Sequence, residues 1–98
     1  MNIELERTNE ALVISLKGRL DTNTSPLFEE KITNLEEGVK DLIINMKELE
    51  YISSAGLRVL LAAQKKMNKL GSMKVINVCD SIMEIFEITG FIDILVVE

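Results

Sequence analysis

The residues of this chain best placed to do chemistry are two adjacent serines, in the stretch Tyr51-Ile52-Ser53-Ser54-Ala55-Gly56-Leu57-Arg58. The stretch joins the end of a buried-strand pattern to the start of a helical one. A serine at such a junction has two uses. Its hydroxyl can cap the helix by accepting a free backbone N–H, worth about 1 kcal/mol. It can also accept a phosphoryl group, whose charge would sit among unpartnered N–H groups at the positive end of the helix dipole. That is the geometry of a phosphorylation switch.

Three further residue types bear on this junction. Gly56 is either a glycine tolerated in a helix at about 1 kcal/mol or, the reading preferred here, a place where a partner's backbone comes close. Arg58 lies near the first turn, where a cation works against the dipole. It answers to a partner carboxylate or a phosphate on Ser54, or it is an ordinary solvated arginine. Asp21, in Gly18-Arg19-Leu20-Asp21-Thr22-Asn23-Thr24-Ser25, reads as an Asx-turn or cap leading into a helix.

Other chemistries lack their residues. The chain has no histidine, which removes histidine-based triads and the commonest metal ligand. No Gly-x-x-x-x-Gly-Lys-Ser/Thr loop or cluster of acids suggests a nucleotide or metal site. Asn45-Met46-Lys47-Glu48 does not supply the aspartate a receiver domain needs after its central strand. The expectation is a protein that is not an enzyme and needs no cofactor. Eleven Lys and Arg against 16 Asp and Glu give a net charge of −5, with no basic run to follow a nucleic-acid backbone. No apolar run approaches the roughly 18 residues of a membrane span, and no signal-peptide pattern opens the chain. The single cysteine, Cys79, follows Val75-Ile76-Asn77-Val78 and reads as a buried structural thiol in a reducing compartment, so the expected setting is soluble and cytoplasmic.

The elements that must position these residues form one domain over 1–98. Ile3 and Leu5 alternate with charges, Asn9-Glu10 turn, and Ala11 to Lys17 resume, which predicts an antiparallel pair ended by Gly18. Thr24-Ser25-Pro26 predicts a helix with Ser25 as N-cap, closed by Gly38. Leu42 to Met46 read as a central strand covered by helices on its faces. Leu57, Leu60, Leu61, Gln64 and Met67 recur at helical spacing up to Gly71. Met73 to Val78 predict a strand, Ser81-x-x-Glu84 a capping box opening a helix that Gly90 stops, and Ile92 to Val97 a last strand. The order is β-β-α-β-α-β-α-β, an α/β fold with a mixed, mostly parallel sheet. Glu36-Glu37 and Lys65-Lys66 read as solvated helix faces, and the five methionines as core filler.

Ile52-Ser53-Ser54-Ala55-Gly56-Leu57 resembles the signature of the STAS domain, found in bacterial anti-sigma factor antagonists. Gly18-Arg19-Leu20-Asp21 resembles the family's Gly-x-(Leu/Ile)-Asp element. Ile85-Phe86-Glu87-Ile88-Thr89-Gly90-Phe91 resembles its closing helix and turn, so nearly the whole chain is covered. The resemblance implies phosphorylation at Ser54, with Ser53 as the alternative because it stands where well-known members carry an aspartate. It implies a partner face made of Asp21, Thr22, Asn23, Ser53, Ala55, Gly56 and Arg58. It further implies an anti-sigma factor with serine kinase activity as partner, which brings the ATP, and a serine phosphatase that resets the site. A structural STAS subunit of a transport ATPase or sensor assembly is the alternative reading.

Overall fold

The computed structural model describes all 98 residues. Strands β1 (Asn2–Thr8) and β2 (Ala11–Leu20) form an antiparallel hairpin. Asn9 takes a left-handed φ of 52° in its turn, a conformation asparagine tolerates better than most residues. Helix α1 (Ser25–Thr33) crosses to β3 (Asp41–Ile52), and α2 (Ser54–Leu70) crosses to β4 (Ser72–Ile76). Both crossovers join parallel neighbours, so the sheet order is β1-β2-β3-β4.

Register decides which side chains are buried. Leu12 pairs with Leu42 and Ile14 with Ile44, which in turn face Met73 and Val75 on β4. With Leu16 and Met46 these side chains share one face of the sheet and are buried. Phe28 and Ile32 of α1, Leu57, Leu60 and Met67 of α2, and Ile82 and Phe86 of α3 (Asp80–Thr89) close over them in one cluster. The intervening positions Val13, Ser15, Ile43 and Asn45 are only half-buried. Helices therefore cover one face of β3 rather than both. Ile43, in the middle of the apolar run Leu42 to Ile44, is half-buried on the open face between its strand partners Val13 and Lys74.

Several expected boundaries shift for identifiable reasons. Gly18 does not end β2. Its φ of +103° sits beside a register irregularity, after which Arg19 pairs with Tyr51 and Leu20 with Ile52, so glycine supplies a bulge that a side chain would strain. Helix α1 starts one residue earlier than expected, with Thr24 rather than Ser25 at the N-cap. It stops at Thr33, well before Gly38. Lys66 Nζ donates to the carbonyls of Ile32 (2.8 Å) and Thr33 (3.3 Å) there, making Lys66 a C-terminal cap rather than part of a solvated face.

Helix α3 begins at Asp80 with Cys79 at its N-cap position, so Ser81 already lies inside it and the expected capping box does not form. Cys79 is exposed, not buried. Its Sγ lies 3.3 Å from Ser81 Oγ, and hydrogen bonding from the Ser81 hydroxyl, then from the Ile82 N–H, holds its pKa below the ordinary thiol value. Gly90 closes α3 in the left-handed region, as expected. Beyond it Phe91–Asp93 make a 3-10 turn, and the expected last strand is reduced to one parallel bridge, Val75 to Val97. Leu95 turns into the core instead. Met46, Met67 and Met73 are core residues, while Met1 and Met83 pack at its margin.

Candidate functional site

The carboxyl ends of β2 and β3 lie side by side, and the loop after each leads into a helix. Such strand ends are where open α/β sheets present their sites. The two loops are tied together by Leu20, whose carbonyl accepts the Ser53 N–H at 2.8 Å.

Ser53 is the N-cap of α2. Its Oγ accepts the Gly56 N–H at 3.4 Å, and its carbonyl accepts the Leu57 N–H at 3.0 Å. Ser54 follows as the first helical residue. It is exposed, and its hydroxyl makes no hydrogen bond within the chain. The two serines thus divide the two uses of a junction hydroxyl. One is committed to the fold; the other stands free above the helix N-terminus.

Gly56 does not offer its face to a partner. It is buried, and a Cβ there would meet Leu20 Cδ2 and Cγ at 2.8 Å and Ile52 Cγ1 at 2.9 Å. The glycine is needed because α2 seats directly on the last core residues of β2 and β3. Ala55 is half-buried beside it.

Asp21 organises the neighbouring loop. Its Oδ1 accepts the N–H groups of Asn23 and Thr24, both at 3.0 Å. Its own N–H donates to Thr24 Oγ1 at 2.9 Å, and Ser25 Oγ donates to its carbonyl at 2.6 Å. The Thr24 N–H is the main cause that holds the Asp21 carboxyl below its ordinary pKa. The expected Asx-turn is present, leaving Thr22 and Asn23 exposed at the tip.

A shallow groove of about 180 Å³ runs between the two helix starts, lined by Thr22, Pro26, Glu29, Ala55, Arg58 and Val59. It brings the Asp21 loop and the Ser54 segment onto one surface. Arg58 is exposed in it and belongs to no ion pair, although Glu29 lines the same groove. Sequence reading missed Glu29, whose place opposite Arg58 depends on how α1 packs on α2. It also missed Arg19 and Tyr51. Their pairing across the bulged register stacks the guanidinium 4.2 Å from the ring centre, on the sheet face away from the helices. The alternation of Arg19 with buried Leu20, and of Tyr51 with buried Ile52, was the available signal.

Residues 2–98 match the family model of the STAS domain. The chain is 30% identical over 96 residues to the anti-sigma-B factor antagonist of Bacillus subtilis (strain 168), spanning 97% of this chain and 88% of that protein. It is 32% identical over 99 residues to the anti-sigma-B factor antagonist of Staphylococcus aureus (strain NCTC 8325 / PS 47), spanning 97% of this chain and 92% of that protein. In three dimensions it superposes on the unphosphorylated form of the anti-sigma factor antagonist SpoIIAA with a TM-score of 0.85 at 23% identity, over 99% of this chain and 88% of the other. The phosphorylated form of SpoIIAA from Bacillus gives 0.78, with 99% and 91% covered. The chain belongs to the STAS domain family. Both of these relatives are anti-sigma-B factor antagonists.

Proposed function

We propose that this protein is an anti-sigma factor antagonist switched by phosphorylation of Ser54. Unmodified, it binds an anti-sigma factor with serine kinase activity through the Asp21 loop and the start of α2, and so frees a sigma factor for transcription. The kinase transfers the γ-phosphoryl group of ATP to Ser54 Oγ, whose proton passes to a base on the kinase. ADP leaves, and a serine phosphatase later hydrolyses the ester.

One observation carries this reading: Ser53 holds the cap, so Ser54 presents an unencumbered hydroxyl at a helix N-terminus. A phosphate there meets free N–H groups and the helix dipole. Arg58 is the only charged residue in 53–58, so adding about −1.5 to −2 charges reverses the sign of the segment. If that reversal costs the interface about 3 kcal/mol, affinity falls on the order of 150-fold, enough to release a partner.

The test is incubation with the serine-kinase anti-sigma factor of the same genome and ATP, followed by tandem mass spectrometry. One phosphate, on Ser54, is expected. Phosphate on Ser53 alone would move the acceptor by one residue. Absence from both serines, with binding to the partner intact, would favour an unphosphorylated structural STAS subunit.

A further inference from the structure

Helix α2 has an unusual charge distribution. Its 17 residues contain Arg58, Lys65, Lys66 and Lys69 and no aspartate or glutamate, although acids outnumber bases 16 to 11 in the whole chain. In proportion, a helix of this length would carry about three acids, which solvated helices use to pair their lysines at i, i+4. Lys66 is accounted for by its bonds to the end of α1. The remaining three cations make no such bonds. Arg58, Lys65 and Lys69 are all exposed, and the three ion pairs of the molecule, Arg7–Glu36, Lys17–Glu48 and Lys74–Glu98, involve none of them.

At 100° per residue these cations fall on one outward stripe, which begins at Ser54 and also includes exposed Ala62. From Arg58 to Lys69 the stripe is about 16 Å long. Lysines near a helix C-terminus relieve the dipole, which accounts for Lys69. The dipole does not account for Arg58 at the opposite end, nor for an outer face without a single acid. Glu29 of α1 is the one acid lining the groove beside Arg58, and it lies at the proximal end only.

We infer that this stripe is an electrostatic docking ridge for an acidic surface of a protein partner, continuous with the Ser54 site. The inference rests on the proposed function, in which that partner is the anti-sigma factor. Three cations fall short of the cluster of four to eight that holds an anionic membrane. They also make few phosphate neutralisations on a chain of net charge −5. A protein surface with acids spaced along one helix length fits their number and reach, and such complementarity acts on association rate and partner choice. A phosphate on Ser54 would head the same stripe with the opposite charge, drawing Arg58 away from the partner as well as repelling it.

The test leaves the Ser54 segment untouched. Affinity for the purified anti-sigma factor is measured at about 50 and about 300 mM salt for wild type, Lys65→Glu/Lys69→Glu and Lys65→Gln/Lys69→Gln. Thermal melts run beside it, since the Glu pair opposes the helix dipole and the Gln pair does not. The ridge predicts at least tenfold weaker binding at low salt for the Glu variant, an intermediate value for the Gln variant, and a shallower salt dependence in both. Wild-type affinity and salt dependence in either folded variant would overturn the ridge and leave the Ser54 switch standing. Wild type that binds no anti-sigma factor would overturn both. Binding of wild type to phosphatidylserine vesicles or to a DNA duplex, lost in the Glu variant, would reassign the stripe to that ligand.

Discussion

Ser53 Oγ accepts the Gly56 N–H, while exposed Ser54 Oγ makes no hydrogen bond within the chain, and this difference separates the effects of changing each serine. Ser53→Ala removes the cap and is expected to cost about 1 kcal/mol in a chemical denaturation series; Ser53→Asp, a good capping residue, should restore it. Ser54→Ala should lie within about 0.5 kcal/mol of wild type by the same measurement. In partner titrations Ser54→Ala should bind like wild type and Ser54→Glu at least tenfold more weakly, roughly 1.4 kcal/mol. Equal affinities for the two folded variants would refute an electrostatic switch. The Asp21 carboxyl is held below its ordinary pKa, chiefly by the Thr24 N–H. A depressed carboxylate contributes stability above the unfolded-state pKa and loses it as pH falls through the folded-state value. Asp21→Asn keeps the acceptor oxygen but has no proton to take up. Its melting temperature should therefore vary less with pH on the acid side, and a melt series from neutral to acid pH checks this.

At the scale of elements, α2 is seated by a contact that leaves no space. Gly56→Ala would place a methyl group 2.8 Å from Leu20 and 2.9 Å from Ile52. That overpacking should cost about 1–3 kcal/mol, more than the helix-propensity gain of about 1 kcal/mol. Equilibrium unfolding of this variant decides between a packing role and the partner contact first expected of Gly56. Further along the same helix Gln64 is buried, its Nε2 donating to Asn68 Oδ1 at 2.8 Å while its Oε1 has no partner. An unsatisfied buried acceptor costs about 1–3 kcal/mol. Gln64→Leu should raise stability by about 1 kcal/mol, measured as an upward shift in denaturation midpoint with unchanged slope.

The whole molecule is a sheet with helices on one face, and its last residues complete that layer. Leu95 fills the core, and the Val75 and Glu98 N–H groups donate to the Val96 and Val75 carbonyls at 2.8 and 2.9 Å. Removing residues 94–98 takes away one buried leucine, four backbone hydrogen bonds, two of them to β4 and two to the Phe91 carbonyl, and the exposed Lys74–Glu98 pair. The expected loss is about 2–4 kcal/mol, almost all from the leucine and the bonds. Circular dichroism should show the helices retained at low temperature and an earlier melt.

The amino-acid sequence by itself determined what local physics dictates. The opening hairpin with its second strand as far as Lys17, the central strand from Leu42 to Met46 and the long helix ending before Gly71 follow from apolar periodicity. The turn at Asn9 and the stop at Gly90 follow from which residues accept a left-handed backbone. The serine junction was visible for the same reason, since a helix start exposes its N–H groups whatever surrounds it. Only the tertiary structure decided between alternatives equal in local energy. Which serine caps depended on where Leu20 holds the Ser53 N–H, and Gly56 faces inward because β2 and β3 end together beneath it. Lys66 became the cap of α1, Cys79 was left exposed, and the final strand shrank to a bridge as Leu95 entered the core. Each of these outcomes rests on groups more than ten residues apart in the chain, whose meeting no local pattern encodes.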